Sequence, residues 1–371
     1  MKIMSKQKNY NMELLRFFFA LCICLHHFHM YDAALPFGGG YLAVDFFLIV
    51  SGYFLACHFV GKDSFREVQK VRCKQQMGIF LKRKYFRLWG EYFYAFLCAC
   101  ILSKIVLSKQ MISDVRIFVQ EALMWDIPYT DVAKHINPPD WYCAYLLIGL
   151  LLAFTVLTVC KKRVQCFITV IVSFTGYIFL CIYSGNLNIF PRYSFSCILT
   201  WLRVISGVFL GTFLTEFVSW IKNSGRYKKV PHVLWESLEI LLLLFCAYML
   251  LWNTAYNRKD FILIPVYCLI IVVCELNGYR EMPEWRKRGS EYLGSLSYTL
   301  YLNHYIVAEI FTRFQLFAEL DWKVYTIIYL ICVFVFSNIQ YIIMKILKCL
   351  VKSVSDRLFY LVEHKRKNHA V

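Results

Sequence analysis

A chain of 371 residues with 59% hydrophobic side chains and a mean hydropathy of +0.52 contains more apolar sequence than a soluble protein of this length needs. The net charge of +17 would also suit a nucleic-acid-binding protein, but the basic residues concentrate in alternate loops, as the positive-inside rule requires of membrane proteins. Composition therefore predicts a multi-pass membrane protein in contact with lipid, and it excludes a nucleic-acid partner.

Hydropathy and helix breakers predict an all-α polytopic protein with about ten transmembrane helices. The predicted spans are 12–31, 41–60, 88–107, 141–160, 164–184, 197–220, 233–252, 261–277, 292–312 and 324–347. An N-terminus in the cytoplasm would place most of the 41 Lys and Arg residues in cytoplasmic segments, so both termini are expected on that side. The sequence has no linker or second soluble domain, and residues 1–371 are expected to form a single membrane domain.

The first span carries ionisable residues inside apolar sequence, namely Arg16, His26, His27 and His29. A charged side chain at the centre of a spanning helix costs about 2.5–3.5 kcal/mol on insertion scales, so such residues usually line a protein interior or a wet cavity. Arg16 and His27 are close to three helical turns apart, which places both on one face with about 16 Å between their levels. This face is the first place where chemistry is expected.

Asp45 lies early in the second span, and we expect it near the level of His27. One interpretation is that its carboxylate orients the imidazole or offsets its charge, as an acid does for a catalytic base. The other is a structural hydrogen bond between the first two helices. The residue types alone do not decide between them.

Two further stretches fit a membrane-interface role as well as a functional one. The third span is preceded by a basic run, Lys82, Arg83, Lys84 and Arg87, which suits contact with anionic headgroups. The predicted outer loop 108–140 combines polar residues with Trp125 and Tyr129, and Trp141 follows it directly. Aromatic rings beside polar groups suit sugar stacking, but Trp and Tyr also populate membrane interfaces for physical reasons alone.

Polar and charged residues recur in the sixth and ninth spans. Arg203 is predicted either to pair with an internal acid, for which Glu216 and Glu275 are possible partners, or to reach a ligand. The ninth span is polar for its depth, so a cavity-lining role and structural support are both open. The residues expected to line or support a cavity are Ser51, Arg203, Ser297, Tyr298 and His304.

The sixteen cysteines lie mostly within apolar runs, and none forms a C-x-x-C pair or a Cys/His set with zinc spacing. We therefore expect them to pack as small hydrophobic residues. The sequence predicts no metal site and no permanently bound cofactor, and it leaves the oligomeric state open.

Several of these segments occur together in an order that resembles the acyltransferase-3 family of bacterial membrane O-acyltransferases. They are Arg16-x10-His27, GGGYLAVDFFLIVSGYFLA (38–56), KRKYFRLW (82–89), Arg203-x3-Gly207-x3-Gly211 and SLSYTLYLNHYIV (295–307). The resemblance covers nearly the whole chain. The segments around Asp45 and His304 are its most specific parts.

The resemblance implies a protein of the bacterial inner membrane with His27 as the catalytic histidine and Arg16 as its companion. It further implies an acyl donor, acetyl-CoA or another acyl-CoA, and an acceptor hydroxyl on a cell-surface or lipid-linked glycan. The family's R-x-x-R motif falls on Lys84 and Arg87, with Arg83 beside them, so the first Arg is replaced by Lys. Gly90 stands where a Pro often follows this motif, and the Glu often found after the tryptophan of the fourth helix is absent after Trp141.

Acyl transfer from a thioester needs a base near neutral pKa, a positive group or donors for the oxyanion, and cations for the phosphates of coenzyme A. His27, Arg16 and the basic run 82–87 meet these needs in turn. The alternative function is a glycan flippase or transporter without covalent chemistry, which would favour Gly/Pro-broken internal repeats that this sequence does not show. A glycan polymerase is a second alternative, but it would be expected to carry a more basic outer loop.

Overall fold

The computed structural model describes residues 9–29, 36–59, 73–105, 115–125, 134–252, 256–277, 282–315 and 319–368. These ranges contain helices and turns and no strand. The ends of the first three predicted spans, residues 30–31, 60 and 106–107, lie outside the described residues, as does Tyr129. The predicted all-α class is confirmed.

The described helices are α1 (Tyr10–His29), α2 (Ala43–Cys57), α3 (Cys73–Ile105), α4 (Val115–Ala122), α5 (Trp141–Val159), α6 (Lys162–Tyr183), α7 (Ser194–Ser224), α8 (His232–Trp252), α9 (Leu263–Asn277), α10 (Glu284–Arg313) and α11 (Trp322–Asn368). Short 3-10 turns at Gly38–Leu42, Pro138–Asp140 and Arg258–Ile262 lead directly into α2, α5 and α9. The helices consequently follow one another with few long connections in the described ranges.

Nine segments of the described chain are long and apolar enough to cross a membrane, which confirms a polytopic membrane protein. The predicted span 292–312 lies in α10, which is not among the nine because Ser, Asn, His and charged side chains lower its hydropathy. Those polar side chains point largely inward, since Ser297, Asn303 and His304 are all buried. A polar helix surrounded by other helices is compatible with a membrane because its polar groups do not meet lipid.

The helices divide into an inner set and an outer set. The centre of the protein is formed by α1, α2, α7 and α10, with α1 packed along α10 and α2 packed along α7. The lipid-facing surface carries exposed apolar side chains of α6, α8 and α11, among them Phe167, Ile178, Leu241, Leu244, Ile327 and Ile331. The inner helices carry most of the predicted functional residues, and the predicted basic residues Arg83, Lys84 and Arg87 lie on α3.

The connection between α3 and α5, which contains the predicted outer loop, packs partly against the helices where it is described. Helix α4 lies against α3, because the hydroxyls of Tyr85 and Tyr92 donate to the Leu123 and Glu121 carbonyls. Glu121, His135, Asn137, Asp140 and Trp141 are buried, whereas Trp125 is exposed. The described part of this predicted outer loop therefore packs partly against the helices, and its place on the outer side of the membrane stays a prediction.

Candidate functional site

Two histidines from the inner helices face each other. The imidazole rings of His27 in α1 and His304 in α10 lie 4.8 Å apart between centroids, and their planes are inclined by 45°. His304 is fully buried, and His27 is half-buried. The two rings come from helices that pack along their length, so the backbone holds them together without a direct bond between the histidines.

The contacts of His304 define the tautomer of its neutral ring. Its Nδ1 lies 2.6 Å from the Tyr301 carbonyl oxygen. A carbonyl only accepts, so Nδ1 carries the hydrogen and Nε2 is left as an acceptor. That Nε2 is buried without a hydrogen-bond partner, and the same is true of Nδ1 of His27. Two orphaned imidazole nitrogens in one place suggest a site for a polar ligand, since buried polar atoms are ordinarily paired.

The segment 134–140 forms a wall beside His304 that the sequence reasoning did not assign to the site. The Asn137 amide donates to the Leu302 carbonyl at 2.9 Å, and the Tyr301 hydroxyl donates to the Pro139 carbonyl. These contacts are with the helical turn that carries His304. The Asn137 side-chain oxygen is buried and has no hydrogen-bond partner, so it adds a third unsatisfied polar atom to this region.

Glu121 holds this wall in place. Its carboxylate accepts hydrogen bonds from the backbone N–H groups of Ile136 at 3.0 Å and Asn137 at 2.8 Å, and the residue is 1% exposed. The Asn137 amide also donates to Asp140 at 2.9 Å. The sequence NPPD (137–140) was the available signal, because two prolines after a polar residue mark a rigid turn.

Asp45 and Arg203 form a fully buried ion pair. Arg203 Nη2 lies 2.7 Å from Asp45 Oδ2, Nε lies 3.1 Å from the same oxygen, and the side chains are 2% and 0% exposed. The guanidinium also donates to the carbonyls of Ile189 and Tyr41, and the Tyr177 hydroxyl donates to Asp45 Oδ1. The imidazole of His27 is not among the described contacts of Asp45.

The open question about Arg203 is answered by this pair. Its carboxylate partner is Asp45, whereas Glu216 pairs with Lys162 at 2.8 Å and Glu275 pairs with Lys222 at 3.0 Å. The sequence suggested the wrong two acids because neither separation along the chain nor hydropathy reports which helix is adjacent.

The ion pair is connected to the histidines through the turn Gly38–Leu42. Arg203 holds the Tyr41 carbonyl, and the Tyr41 hydroxyl donates to Asp260 at 2.6 Å. The Tyr41 ring lies 5.3 Å from the ring of His26, which in turn lies 5.3 Å from His27. The backbone and the side chain of Tyr41 are thus both held by hydrogen bonds, and the turn packs against the histidine end of α1.

The predicted basic residues lie toward the other end of α1. Arg16 Nη1 pairs with Glu13 Oε2 at 2.8 Å, and Arg16 is half-buried. Lys84 of α3 is half-buried and lies within the electrostatic reach of Arg87 and Arg16. Arg83 and Arg87 are exposed. Lys84 is therefore the cation that lies within electrostatic reach of both Arg16 and Arg87, whereas Arg83, like Arg87, is on the surface.

The remaining predicted residues have structural contacts. Ser297 donates to the Gly294 carbonyl one turn earlier in its own helix at 2.7 Å. The Tyr298 hydroxyl donates to the Leu88 carbonyl at 3.3 Å and lies 3.6 Å from the Cys143 sulfur, which joins α10 to α3 and α5. Ser51 lies beside Tyr142 and is half-buried. None of the described residues groups three His, Cys, Asp or Glu side chains in a way that would hold a metal ion.

The fold and this site define a polytopic membrane protein with ionisable groups enclosed between its helices, an arrangement typical of proteins that act on substrates within the membrane. The acyltransferase-3 family model, described as an acyltransferase domain, matches residues 9–339. The chain therefore belongs to this family and is a membrane acyltransferase, which confirms the resemblance. Comparisons with curated proteins and with solved structures gave no match.

Proposed function

We propose that this acyltransferase moves an acyl group, most simply acetyl, from a cytoplasmic acyl-CoA to a hydroxyl of a cell-surface or lipid-linked glycan, with His27 as the base. The observation that supports this most directly is the pair of facing imidazoles, His27 and His304, with an orphaned nitrogen on each. Neutral imidazole is the side chain best suited to accept a proton near pH 7.

In the proposed reaction, the acceptor oxygen attacks the thioester carbon while His27 takes the hydroxyl proton. Collapse of the tetrahedral intermediate breaks the C–S bond, and the proton passes from His27 to the departing thiolate. His304 has a fixed acceptor at Nε2, so we assign it a positioning role. It accepts a hydrogen bond from the N–H of His27 or from the O–H of the substrate, and it sets which His27 nitrogen faces the substrate hydroxyl.

The donor is proposed to bind where Arg16, Lys84 and Arg87 gather. Their charges suit the phosphates of coenzyme A, and Lys84 would act as a point charge rather than as the planar fork of an Arg. Arg83, on the surface, suits the outer phosphates or lipid headgroups. Since Arg16 and His27 share a helix and are about 16 Å apart along it, an extended donor is required to connect the two places. The pantetheine arm of coenzyme A is extended.

Asp45 is proposed to act through the structure around His27. Its carboxylate is occupied by Arg203 and Tyr177, and Arg203 holds the Tyr41 carbonyl. Both residues therefore position the Gly38–Leu42 turn beside the histidines.

With both termini in the cytoplasm of a bacterial cell, the histidine end of α1 would face the outer side of the inner membrane, where glycan acceptors are found.

The test is the ester content of the host's surface glycans, measured by mass spectrometry. The strains compared are wild type, a deletion, and the deletion complemented with wild-type, His27→Ala or His58→Ala protein. His58 is an exposed histidine at the end of α2 and serves as the matched control. Loss of one acyl mass, restored by wild type and His58→Ala but not by His27→Ala, is expected. A constant glycan mass with reduced glycan export would favour the transporter alternative.

A further inference from the structure

A cavity lies apart from the histidine site. It has a volume of about 750 Å³ and is formed by the first turns of α1, α8 and α10 with the end of α9. Its lining residues divide into a polar group and an apolar group. The polar group includes Asn11, Glu236, Glu239 and Arg286, and the apolar group includes Leu14, Phe18, Ile240 and Leu243.

The two groups lie at different levels. Along α1 the lining changes from Asn11 to Phe18, and along α8 it changes from Glu236 to Leu243. Seven residues of helix correspond to about 10 Å. Both helices begin at the same end of the cavity, so its polar part lies at the helix starts and its apolar part lies deeper in the bundle. This is the polarity profile of a phospholipid, with its headgroup at the membrane surface and its chains in the hydrocarbon.

The polar part combines two carboxylates with one guanidinium. Glu236 and Glu239 are three residues apart on one face of α8, and both are half-buried. Arg286, at the start of α10, is exposed at the cavity and within electrostatic reach of Glu239. The charges thus complement a zwitterion, with the carboxylates facing a cation and the guanidinium facing an anion.

Asn11 supplies an independent indication of a ligand. Its side chain is 8% exposed and lines the cavity, and its amide nitrogen donates to Glu239 Oε2 at 3.4 Å. The amide oxygen is buried and has no hydrogen-bond partner. A buried carbonyl oxygen without a donor is costly, so an N–H group from a bound molecule would satisfy it.

This cavity is separate from the acyl-transfer machinery. At about 100° of rotation per residue, Asn11, Leu15 and Phe18 lie on one side of α1, and Arg16 and His27 lie on nearly the opposite side. The cavity also involves α8, whereas the histidine site involves α10 near His304 and the segment 134–140.

We propose that this cavity binds one phospholipid whose headgroup carries a primary ammonium, such as phosphatidylethanolamine. The ammonium lies between Glu236 and Glu239 and donates a hydrogen bond to the Asn11 amide oxygen, while Arg286 pairs with the phosphate. The acyl chain follows Leu14 and Phe18 of α1 and Leu243 of α8. A trimethylammonium headgroup has no N–H for Asn11, and a headgroup without a cation leaves the two carboxylates facing the phosphate.

The predicted preference for a zwitterionic lipid is the opposite of what the net charge of the chain favours. A net charge of +17 favours the binding of anionic lipids in general. A preference for a zwitterionic primary amine therefore has to come from a local site. This makes lipid selectivity a discriminating measurement.

The experiment is native mass spectrometry of the full-length protein, purified in detergent and exposed to chain-matched phosphatidylethanolamine, phosphatidylcholine and phosphatidylglycerol. One high-affinity ethanolamine lipid per protein is expected, about tenfold tighter than the choline lipid, as for the loss of one charge-assisted hydrogen bond. Soluble glycerophosphoethanolamine is the second arm. If it competes as well as the lipid, the site recognises a free headgroup and the proposed lipid occupant is overturned.

The double variant Glu236→Gln/Glu239→Gln is expected to lose the ethanolamine preference, and Glu284→Gln is the matched control. Glu284 is an exposed carboxylate on α10, where it pairs with Lys287 and Arg288. Asn11→Leu, which keeps the volume and removes the acceptor, should reduce the discrimination between ethanolamine and choline, and it replaces the double variant if that protein does not purify. Equal binding of all three lipids by wild type, or an unchanged preference in either variant, would overturn the proposal.

Discussion

The ring of His27 lies 4.8 Å from the ring of His304, although the two residues belong to the first and tenth described helices. His304 donates its Nδ1 hydrogen to the Tyr301 carbonyl, so the nitrogen left over is an acceptor. The pairing suggests that the second histidine controls the tautomer or the substrate contact of the first. The two histidines thus have different proposed roles: His27 accepts the proton and His304 positions it.

The first prediction concerns these two histidines. His27→Gln should lower the rate of acyl transfer by about 10²–10⁴-fold, the range for removal of a general base, and His304→Asn should lower it less. Because the two act on the same proton transfer, the double variant should be less impaired than the product of the single effects. The measurement is the rate of coenzyme A release by purified protein with acyl-CoA and acceptor, normalised to folded protein. Full activity of His27→Gln would remove its assignment as the base.

The second prediction concerns the buried pair of Asp45 and Arg203. Asp45→Asn should destabilise the protein by about 3–5 kcal/mol, because a buried guanidinium is then left without its counter-charge. Asp45→Asn combined with Arg203→Gln should cost less than the sum of the single changes. The free energy of unfolding in detergent is the measurement. The control is Glu216→Gln, whose ion pair with Lys162 is partly exposed and should contribute about 0–1 kcal/mol.

The third prediction concerns the close approach of α2 and α7. A Cβ added at Gly211 would lie 2.7 Å from the Tyr53 backbone nitrogen, and one at Gly207 would lie 2.7 Å from the Leu48 Cβ. Gly211→Ala should therefore force the helices apart and destabilise the protein by about 1–3 kcal/mol. Gly289→Ala, at a helical position with open space around it, should be neutral or slightly stabilising. Equal midpoints of thermal unfolding for the two variants would contradict this packing.

The fourth prediction concerns the donor site. Lys84→Ala/Arg87→Ala should raise KM for the acyl-CoA by about tenfold or more, with a smaller change in kcat, because charge-assisted hydrogen bonds to phosphate are lost. Raising the salt concentration should weaken donor binding by wild type more than by the variant. Lys228→Ala/Lys229→Ala, in an exposed basic turn between α7 and α8, is the control and should leave KM unchanged. An unchanged KM in the Lys84/Arg87 variant would place the donor elsewhere.

The sequence alone determined the class of fold and the family. Long apolar runs form helices in a bilayer, because each unpaired backbone group in hydrocarbon costs roughly several kcal/mol. The order of motifs around His27, Asp45 and His304 then indicated an acyltransferase, which the family comparison confirms. Ionisable residues within spans also stood out, since each has to be enclosed by protein.

Only the tertiary structure decided which of these residues meet. Hydropathy reports the depth of a residue and not the neighbour of its helix, so it could not distinguish Asp45 from Glu216 or Glu275 as the partner of Arg203. It also could not show that Glu121 holds Asn137 against the turn of α10 that carries His304, because a short amphipathic helix such as α4 does not reveal which surface it packs on. Contacts between helices depend on packing of whole surfaces, such as the approach of α2 to α7 at Gly207 and Gly211, and packing is a property of the assembled bundle.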